Sequence, residues 1–130
     1  MIRSGFRISL SMVVANTTGP HVVLEDLSVK EVQVTPLDSG YRYIVITGTI
    51  DNQYNAYHLI SPDDFELKTS EGGDYHYSSA VSYQLPSQVD AKSKVTFQIG
   101  FEIPINDAPN IIKYQWGGFQ YSEARCPVIS

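Results

Sequence analysis

The sequence has very little cysteine, since Cys126 is its one thiol in 130 residues. A single cysteine excludes an intrachain disulfide, and it excludes a zinc site built from several thiolates. Cys126 stands directly before Pro127 in a polar segment. We interpret it as an incidental free thiol and not as a catalytic nucleophile.

Positive charge is also scarce. Nine Lys and Arg residues stand against fourteen Asp and Glu residues, which gives a formal net charge of -5. The basic residues are scattered between Arg3 and Arg125, and no two of them are adjacent. Nucleic-acid binding needs clustered positive charge to neutralise phosphates, so we expect no nucleic-acid partner.

Long apolar runs are missing as well. A mildly apolar stretch at residues 8–15 is interrupted by two serines, and it is far shorter than the roughly 20 residues that span a bilayer. Arg3 and Arg7 precede this stretch, so it loosely resembles a secretion signal. We prefer an N-terminal strand or the remnant of a trimmed leader. Residues 1–20, which end in Asn-Thr-Thr-Gly-Pro, are interpreted as an N-terminal segment and linker, and no membrane span is expected.

Sequence motifs for chemistry are absent too. The three histidines lack the spacing of metal ligands, and neither a Gly-x-Ser-x-Gly elbow nor a Gly-rich phosphate loop occurs. Acidic turn residues could hold calcium, although their spacing matches no EF-hand loop and capping explains them better. We therefore predict a protein that is not an enzyme, with no catalytic residue, no cofactor and no metal site. The residues weighed for metal were His21, His58 and His76, then Asp51 with Asp63 and Asp64, and Glu71 with Asp74.

The sequence does contain the alternation of β-strands. Residues 94–103 place polar side chains on one parity and apolar side chains on the other, namely Val95, Phe97, Ile99, Phe101 and Ile103. A period of two predicts a strand with one face in the core and one face in solvent. Pro104 is expected to end this strand.

Residues 41–50 form a second strong strand pattern. Ile44, Ile46 and Ile50 share one face with Gly48. The turn at residues 38–40 predicts a hairpin with residues 27–35. The apolar parity changes within that preceding segment, which predicts a β-bulge near Lys30 and Glu31.

Shorter strands are predicted at residues 56–60, 65–69, 74–83 and 111–116. Ser61 could cap one helical turn in which Pro62 takes the first position. About seven or eight short strands with frequent turns predict an all-β fold, an immunoglobulin-like antiparallel two-sheet β-sandwich. We assign the sandwich to residues 21–118 and a C-terminal tail to residues 119–130.

The turn Ser-Pro-Asp-Asp-Phe-Glu-Leu at residues 61–67 and Glu-Gly-Gly-Asp-Tyr at residues 71–75 are distinctive. Further motifs are Asp51-Asn52, Val95-Thr96-Phe97, Phe101-Glu102-Ile103-Pro104 and Ile112-Lys113-Tyr114. Across residues 24–118 the chain resembles a family of immunoglobulin-like extracellular domains of unknown function, found in prokaryotic lipoproteins and secreted proteins. That family is similar in fold to a small secreted mycobacterial antigen.

The resemblance implies an exported sandwich domain, located outside the cell or in the cell envelope, and it transfers no catalytic residue. Two features depart from the family pattern. Residues 90–93 read Asp-Ala-Lys-Ser where the family usually carries Pro-Gly before the next strand, and a lipobox cysteine is missing. Lipid anchoring is therefore not carried over to this chain.

Tyrosine is the main functional signal, with nine residues in the chain. Exposed tyrosines can stack on sugars or anchor a protein partner, although cross-strand tyrosine pairs also simply stabilise sheets. We predict four binding residues in an extracellular or cell-envelope interaction module: Tyr41, Tyr43, Tyr75 and Tyr77. The alternatives are a structural or oligomerising domain and a carbohydrate-binding module. Trp116 is expected in the core.

The strand face that carries Tyr41 and Tyr43 continues with Val45, Thr47 and Thr49, and it has no charge. Uncharged, aromatic-rich surface is typical of the centre of protein interfaces. This face is therefore predicted to bind a protein partner, with a second copy of the chain as the first choice. Cover by residues 6–14 of the same chain is the competing explanation.

Overall fold

The structure is a computed structural model that describes residues 21–34, 40–81 and 83–129. Its elements follow one another as short strands with one 3-10 turn at Pro62–Asp64. The predicted N-terminal strand or leader remnant, and the covering segment at residues 6–14, lie outside the described residues. The strands are β1 (Val22–Val32), β2 (Tyr41–Asn52), β3 (His58–Leu59), β4 (Phe65–Thr69), β5 (Asp74–His76), β6 (Gln88–Val89), β7 (Ser93–Pro104), β8 (Pro109–Gly117) and β9 (Gln120–Arg125).

The strands form two antiparallel sheets and a small ribbon. One sheet has the order β1-β2-β7, the other has the order β5-β4-β8-β9, and β3 pairs with β6. The longest pairing joins β2 to β7, from Tyr41 opposite Pro104 to Asn52 opposite Ser93. The all-β sandwich predicted from the alternating pattern is confirmed.

The core lies between the two sheets and contains the side chains that the alternation assigned to it. Phe101, Ile99 and Ile103 are fully buried, and so are Ile44 and Ile46. The opposite sheet contributes Phe65, whose ring stacks on Tyr114 at 4.9 Å and contacts Phe97 at 5.1 Å between ring centroids. Burying these apolar surfaces is the main stabilising contribution to a sandwich of this kind.

The bulge in β1 exists, but its predicted position is wrong. The register of β1 against β2 shifts between Glu25 and Ser28, and Asp26 there has a φ of 56°. Leu24 before the bulge and Val29 after it both face the core. The prediction used Val32 as an inward residue, whereas Val32 is only half-buried.

The chain after β5 departs from the predicted long strand at residues 74–83, because β5 ends at His76. The following residues cross to the free edge of β7. The backbone N–H of Ser78 donates to the carbonyl of Gly100 at 2.8 Å, and Gln84 exchanges two hydrogen bonds of 2.9 Å with Gln98. This segment therefore protects the edge of β7 from pairing with another strand.

The sheet also continues past the boundary predicted after Gly118. Residues 119–130, expected as a tail, contain strand β9, which pairs with β8 from Gly117 opposite Gln120 to Ile111 opposite Arg125. Strand β9 was not predicted, because most of its residues are polar and it therefore lacks a clear alternation of apolar and polar side chains. Its inward residue Ala124 packs against the core only from the sheet edge.

Asp107 is a buried carboxylate that anchors one end of the sandwich. It accepts hydrogen bonds from the backbone N–H groups of Ala108 at 2.8 Å and Glu71 at 3.1 Å. Desolvation opposes its ionisation, but the Thr69 hydroxyl, these N–H groups and the charge of Arg42 outweigh it, and the pKa of Asp107 lies below its ordinary value. The carboxylate therefore ties the β4–β5 turn to the β7–β8 loop.

The depressed pKa makes the contribution of Asp107 dependent on pH. Its stabilising effect is complete above the ordinary carboxyl pKa, and it is lost as the pH falls through the lower pKa of the folded state. We expect Asp107→Asn to lower the free energy of unfolding by about 1–3 kcal/mol at pH 7. The deficit relative to wild type should shrink below about pH 4, as measured by urea unfolding at several pH values. A deficit that stays constant down to the lowest accessible pH would contradict this assignment.

Candidate functional site

The two outer faces of the sandwich differ in charge. The face of the β5-β4-β8-β9 sheet carries both signs: Lys68 pairs with Asp74 at 3.2 Å, and the Lys113 ammonium lies 4.3 Å from the centroid of the Tyr121 ring. Exposed side chains of both signs are typical of a sheet face in contact with water. This face has the character of ordinary solvated surface.

The middle of the opposite outer face is uncharged across two strands, whereas Lys30 and Glu25 of the neighbouring strand β1 border it. Val45, Thr47 and Thr49 of β2 lie opposite Gly100, Gln98 and Thr96 of β7, and none of these side chains ionises. We call the five residues Val45, Thr47, Thr49, Thr96 and Gln98 the uncharged face. The nearest ion pair is Lys94 with Glu25, 2.9 Å apart at one end of the sheet.

Residues 84–86 rise beside β7 and turn part of the uncharged face into an open groove of about 730 Å³. Its lining combines hydroxyl and amide groups with apolar side chains, among them Leu85 and Pro86, and with the carboxylate of Asp26. A second depression of about 380 Å³ shares Gln98 with the first. The two hollows therefore lie on either side of Gln98.

One end of the face is covered by the chain itself. Val81 is 6% exposed, and it lies so close to Gly100 that a Cβ atom on Gly100 would approach the Val81 Cβ to 2.3 Å. Only glycine allows this close approach. Val81 therefore supplies part of the cover that the sequence assigned to residues 6–14, whereas residues 6–14 lie outside the described part of the chain.

The structure separates the two tyrosines predicted on this face. Tyr41 is 45% exposed at the start of β2, whereas Tyr43 is 6% exposed. The Tyr43 hydroxyl donates to the Glu102 carboxylate at 3.0 Å on the neighbouring strand. The expectation of an exposed Tyr43 ring is wrong, because strand parity predicts the side of the sheet and not whether other groups bury a side chain.

The second predicted pair is half-buried. Tyr75 and Tyr77 both pack against the core, and Tyr77 contacts Tyr83 edge-on at 5.8 Å between ring centroids. Tyr75 lines a hollow of about 460 Å³ together with Pro104, which is the register partner of Tyr41. Tyr41 and Tyr75 thus both lie near Pro104 at one end of the sandwich, but the four predicted tyrosines do not form one flat platform.

At the other end of the sandwich lies an aromatic cluster that the sequence pattern did not predict. The Trp116 ring lies 5.2 Å from Tyr54 and 5.4 Å from His58 between centroids, and its Nε1 donates to the Ser122 hydroxyl at 2.9 Å. Burial lowers the pKa of His58. Trp116 packs against the core as expected, although it is half-buried and stands at the edge of the core.

Other titratable groups do not assemble into a metal or thiol site within the ranges that the structure describes. No group of three or more His, Cys, Asp or Glu side chains is placed to hold a metal ion there. Burial raises the pKa of the Cys126 thiol to about 11. Because the thiolate is the reactive form, this thiol is a weak nucleophile at neutral pH.

Residues 9–126 match the family described as Domain of unknown function (DUF4352). The chain belongs to this family. The match extends to the end of β9, so the DUF4352 domain includes residues that the sequence pattern had assigned to a tail. No curated protein matches the chain.

Two solved structures are similar to this DUF4352 chain. The secreted protein MPT63 of Mycobacterium tuberculosis has 14% sequence identity and a TM-score of 0.56, with 80% of each chain covered. An uncharacterized beta-sandwich protein of Clostridium difficile 630 has 14% identity and a TM-score of 0.45, with 85% of this chain and 87% of the other covered. The likeness to MPT63 shows a common fold, in agreement with the family resemblance of the sequence. Among the described residues, no helix has the length and apolar character needed to cross a membrane.

Proposed function

We propose that this DUF4352 domain is a non-enzymatic interaction module of the cell exterior or cell envelope, which binds a protein partner through the uncharged face. The observation that carries the proposal is the contrast between the two outer faces of the sandwich. One face carries charges of both signs across its middle, whereas Thr47, Thr49, Thr96 and Gln98 form a strip without charge in the middle of the other face. Depletion of charge distinguishes the centres of protein interfaces from the rest of a protein surface.

The groove on this face supports binding more than catalysis. Its volume of about 730 Å³ lies within the range of ligand sites. Among its lining side chains Asp26 is the only carboxylate, and neither His nor Cys lines it. Sites of general acid–base or nucleophilic catalysis typically combine several converging groups of this kind.

The extracellular part of the proposal rests on relatives. MPT63 is described as a secreted protein, and the sequence motifs resemble a family of exported domains. Neither observation identifies the partner of this chain.

A second copy of the chain is the occupant that electrostatics favours. With a formal net charge of -5, two copies repel each other over most of their surface, and like charges brought together at an interface cost several kcal/mol. A two-fold interface brings the same patch of each copy together. Contact through the uncharged face therefore brings no like charges together at its centre and avoids this cost. A structural or oligomerising role would use the same face.

Thr96 provides the test, because its side chain is exposed on the uncharged face. We expect the wild type to dimerise in sedimentation equilibrium and Thr96→Glu to weaken the dimer at least tenfold, since each interface would bury two like charges. The matched control is Gln120→Glu, at an exposed position of the opposite sheet, which should dimerise like the wild type. A wild type that remains monomeric at about 1 mM, a concentration that detects even weak association, would contradict self-association.

The carbohydrate alternative predicts a different residue dependence. Binding of sugars can be measured on a glycan array. Loss of sugar binding in Tyr41→Ala and in Tyr75→Ala, with binding kept in Thr96→Glu, would favour stacking of sugars on the two tyrosines. These tyrosines lie near Pro104 at one end of the sandwich. Such a result would replace the uncharged face as the binding surface.

A further inference from the structure

The hairpin that joins β8 and β9 exposes a phenylalanine at its tip. Gly117 pairs with Gln120, Gly118 has a φ of 56°, and Phe119 is 99% exposed. Tight turns favour Gly, Asn, Asp, Pro and Ser, whose side chains or backbone freedom suit the turn. Phe119 is therefore not a residue that the turn favours, and its ring is almost fully exposed in the described part of the chain.

A second exposed apolar residue lies beside the same hairpin. Leu59 of β3 is 69% exposed, and it lines a small pocket of about 260 Å³ together with Gly117 and Gly118. The pocket is smaller than the 300–1,000 Å³ typical of sites for whole ligands. Its size suits one side chain of a partner.

The walls of this pocket carry negative charge and an aromatic ring. Asp63, Asp64 and Trp116 line it beside Leu59. Asp63 is exposed, and neither aspartate forms an ion pair with a basic residue in the described ranges. Asp64 accepts a hydrogen bond from the Ser61 backbone N–H at 2.9 Å, which holds the 3-10 turn in place. A cation in the pocket would meet both carboxylates, and the indole ring would stabilise it further.

We propose that Leu59, Phe119 and the pocket between the 3-10 turn and the β8–β9 hairpin form a docking surface for a protein segment that carries Lys or Arg next to an apolar residue. The basic side chain enters the pocket between Asp63 and Trp116. The neighbouring apolar side chain of the partner packs on Leu59 and Phe119. Binding buries these two exposed side chains, and such buried anchors dominate the binding energy of protein interfaces. This surface is separate from the uncharged face, and it does not depend on self-association.

Charge distinguishes a protein segment from a lipid surface as the occupant. An exposed aromatic residue at a hairpin tip can also insert into a membrane interface. Asp63 and Asp64 would then approach lipid headgroups, and anionic headgroups would repel them. Complementary charge therefore favours a basic protein segment.

The probe for this surface is a library of random heptapeptides displayed on phage and selected against the wild-type domain. We expect enriched peptides to carry Lys or Arg flanked by aromatic or aliphatic residues. The affinity of a synthetic enriched peptide should fall at least tenfold for Phe119→Ser and for Asp63→Asn, and replacing its basic residue by norleucine should have the same effect. Both substitutions alter exposed side chains, so thermal melting should remain at the wild-type temperature.

Two variants at other exposed positions serve as matched controls. Ile105→Ser removes an apolar side chain that is 54% exposed at the opposite end of the sandwich, and Glu123→Gln removes an exposed acidic group on β9. Both should bind the peptide like the wild type. Enrichment of peptides without a basic residue, or unchanged binding by Phe119→Ser and Asp63→Asn, would overturn the proposal.

Vesicles of phosphatidylcholine and phosphatidylglycerol test the membrane alternative. The wild type should remain in the supernatant when these vesicles are sedimented. Binding that Phe119→Ser abolishes and Asp63→Asn strengthens would identify a membrane contact, and it would overturn the peptide-docking proposal.

Discussion

Replacing Phe101 by alanine is expected to lower the free energy of unfolding by about 3–5 kcal/mol. The Phe101 side chain of β7 is completely buried, and it lies opposite Ile44 of β2. Truncation removes the whole phenyl ring from a close-packed core that can collapse only partly, so the cost combines the lost transfer free energy of the ring and the cavity that it leaves. Urea unfolding followed by circular dichroism measures the change.

Two further variants serve as controls for this result. Phe101→Leu keeps most of the volume and should cost less than about 1.5 kcal/mol. Phe119→Ala removes the same ring from a position that is 99% exposed, so its stability should stay within about 0.5 kcal/mol of the wild type. If Phe101→Ala were as stable as Phe119→Ala, the inward orientation of Phe101 would be refuted.

Asn52→Ala is expected to cost about 2–4 kcal/mol, although the substitution removes only a few atoms. Asn52 is completely buried at the end of β2. Its Nδ2 donates to the carbonyls of Ala56 at 2.9 Å and Asp90 at 3.1 Å, and its Oδ1 accepts from the Tyr54 N–H at 3.1 Å. Alanine would leave these three backbone groups without the partner that Asn52 supplies, and buried polar groups without partners are costly.

Asn106→Ala is the matched control, because Asn106 is exposed in the loop between β7 and β8. It should unfold at nearly the same urea concentration as the wild type. Asn52→Asp tests the polarity of the site, since a carboxylate can accept from Tyr54 but cannot donate to the two carbonyls. It should be at least as destabilising as Asn52→Ala at pH 7. Wild-type stability in Asn52→Asp would show that the donor bonds of Asn52 contribute little.

The alternation of the two longest strands was sufficient to predict their inner faces. In β7 the apolar parity contains Phe97, Ile99 and Phe101, and all three are buried. The capped turn was also predicted correctly, since Ser61 accepts from the Asp63 N–H and Pro62 begins the 3-10 turn. Strand alternation and helix capping depend only on residues that are close together in the sequence, so they can be predicted without the tertiary structure.

The candidate surfaces were only partly predictable. The absence of charge around Thr47 and Thr49 was visible in the sequence, and the structure shows that the neighbouring β7 strand extends the same strip. The exposure of Tyr43 could not be derived from its parity, because the Glu102 that receives its hydrogen bond is 59 residues away. Phe119 could have been noticed as a large apolar residue directly after two glycines, in a turn where small or polar residues are preferred.

The sequence by itself determined the fold class, the inward residues of the long strands and the scarcity of basic residues and cysteine. The period of two is a property of each strand by itself, and composition is a sum over all residues. Both can therefore be interpreted without knowing which segments of the chain contact each other. Only the tertiary structure decided that residues 78–81 and 83–86 lie along the edge of β7, that β9 completes a sheet, and that Leu59, Asp63 and Trp116 line one pocket beside the hairpin that carries Phe119. Such contacts join residues far apart in the chain, and their positions depend on how the two sheets pack, which no short stretch of sequence encodes.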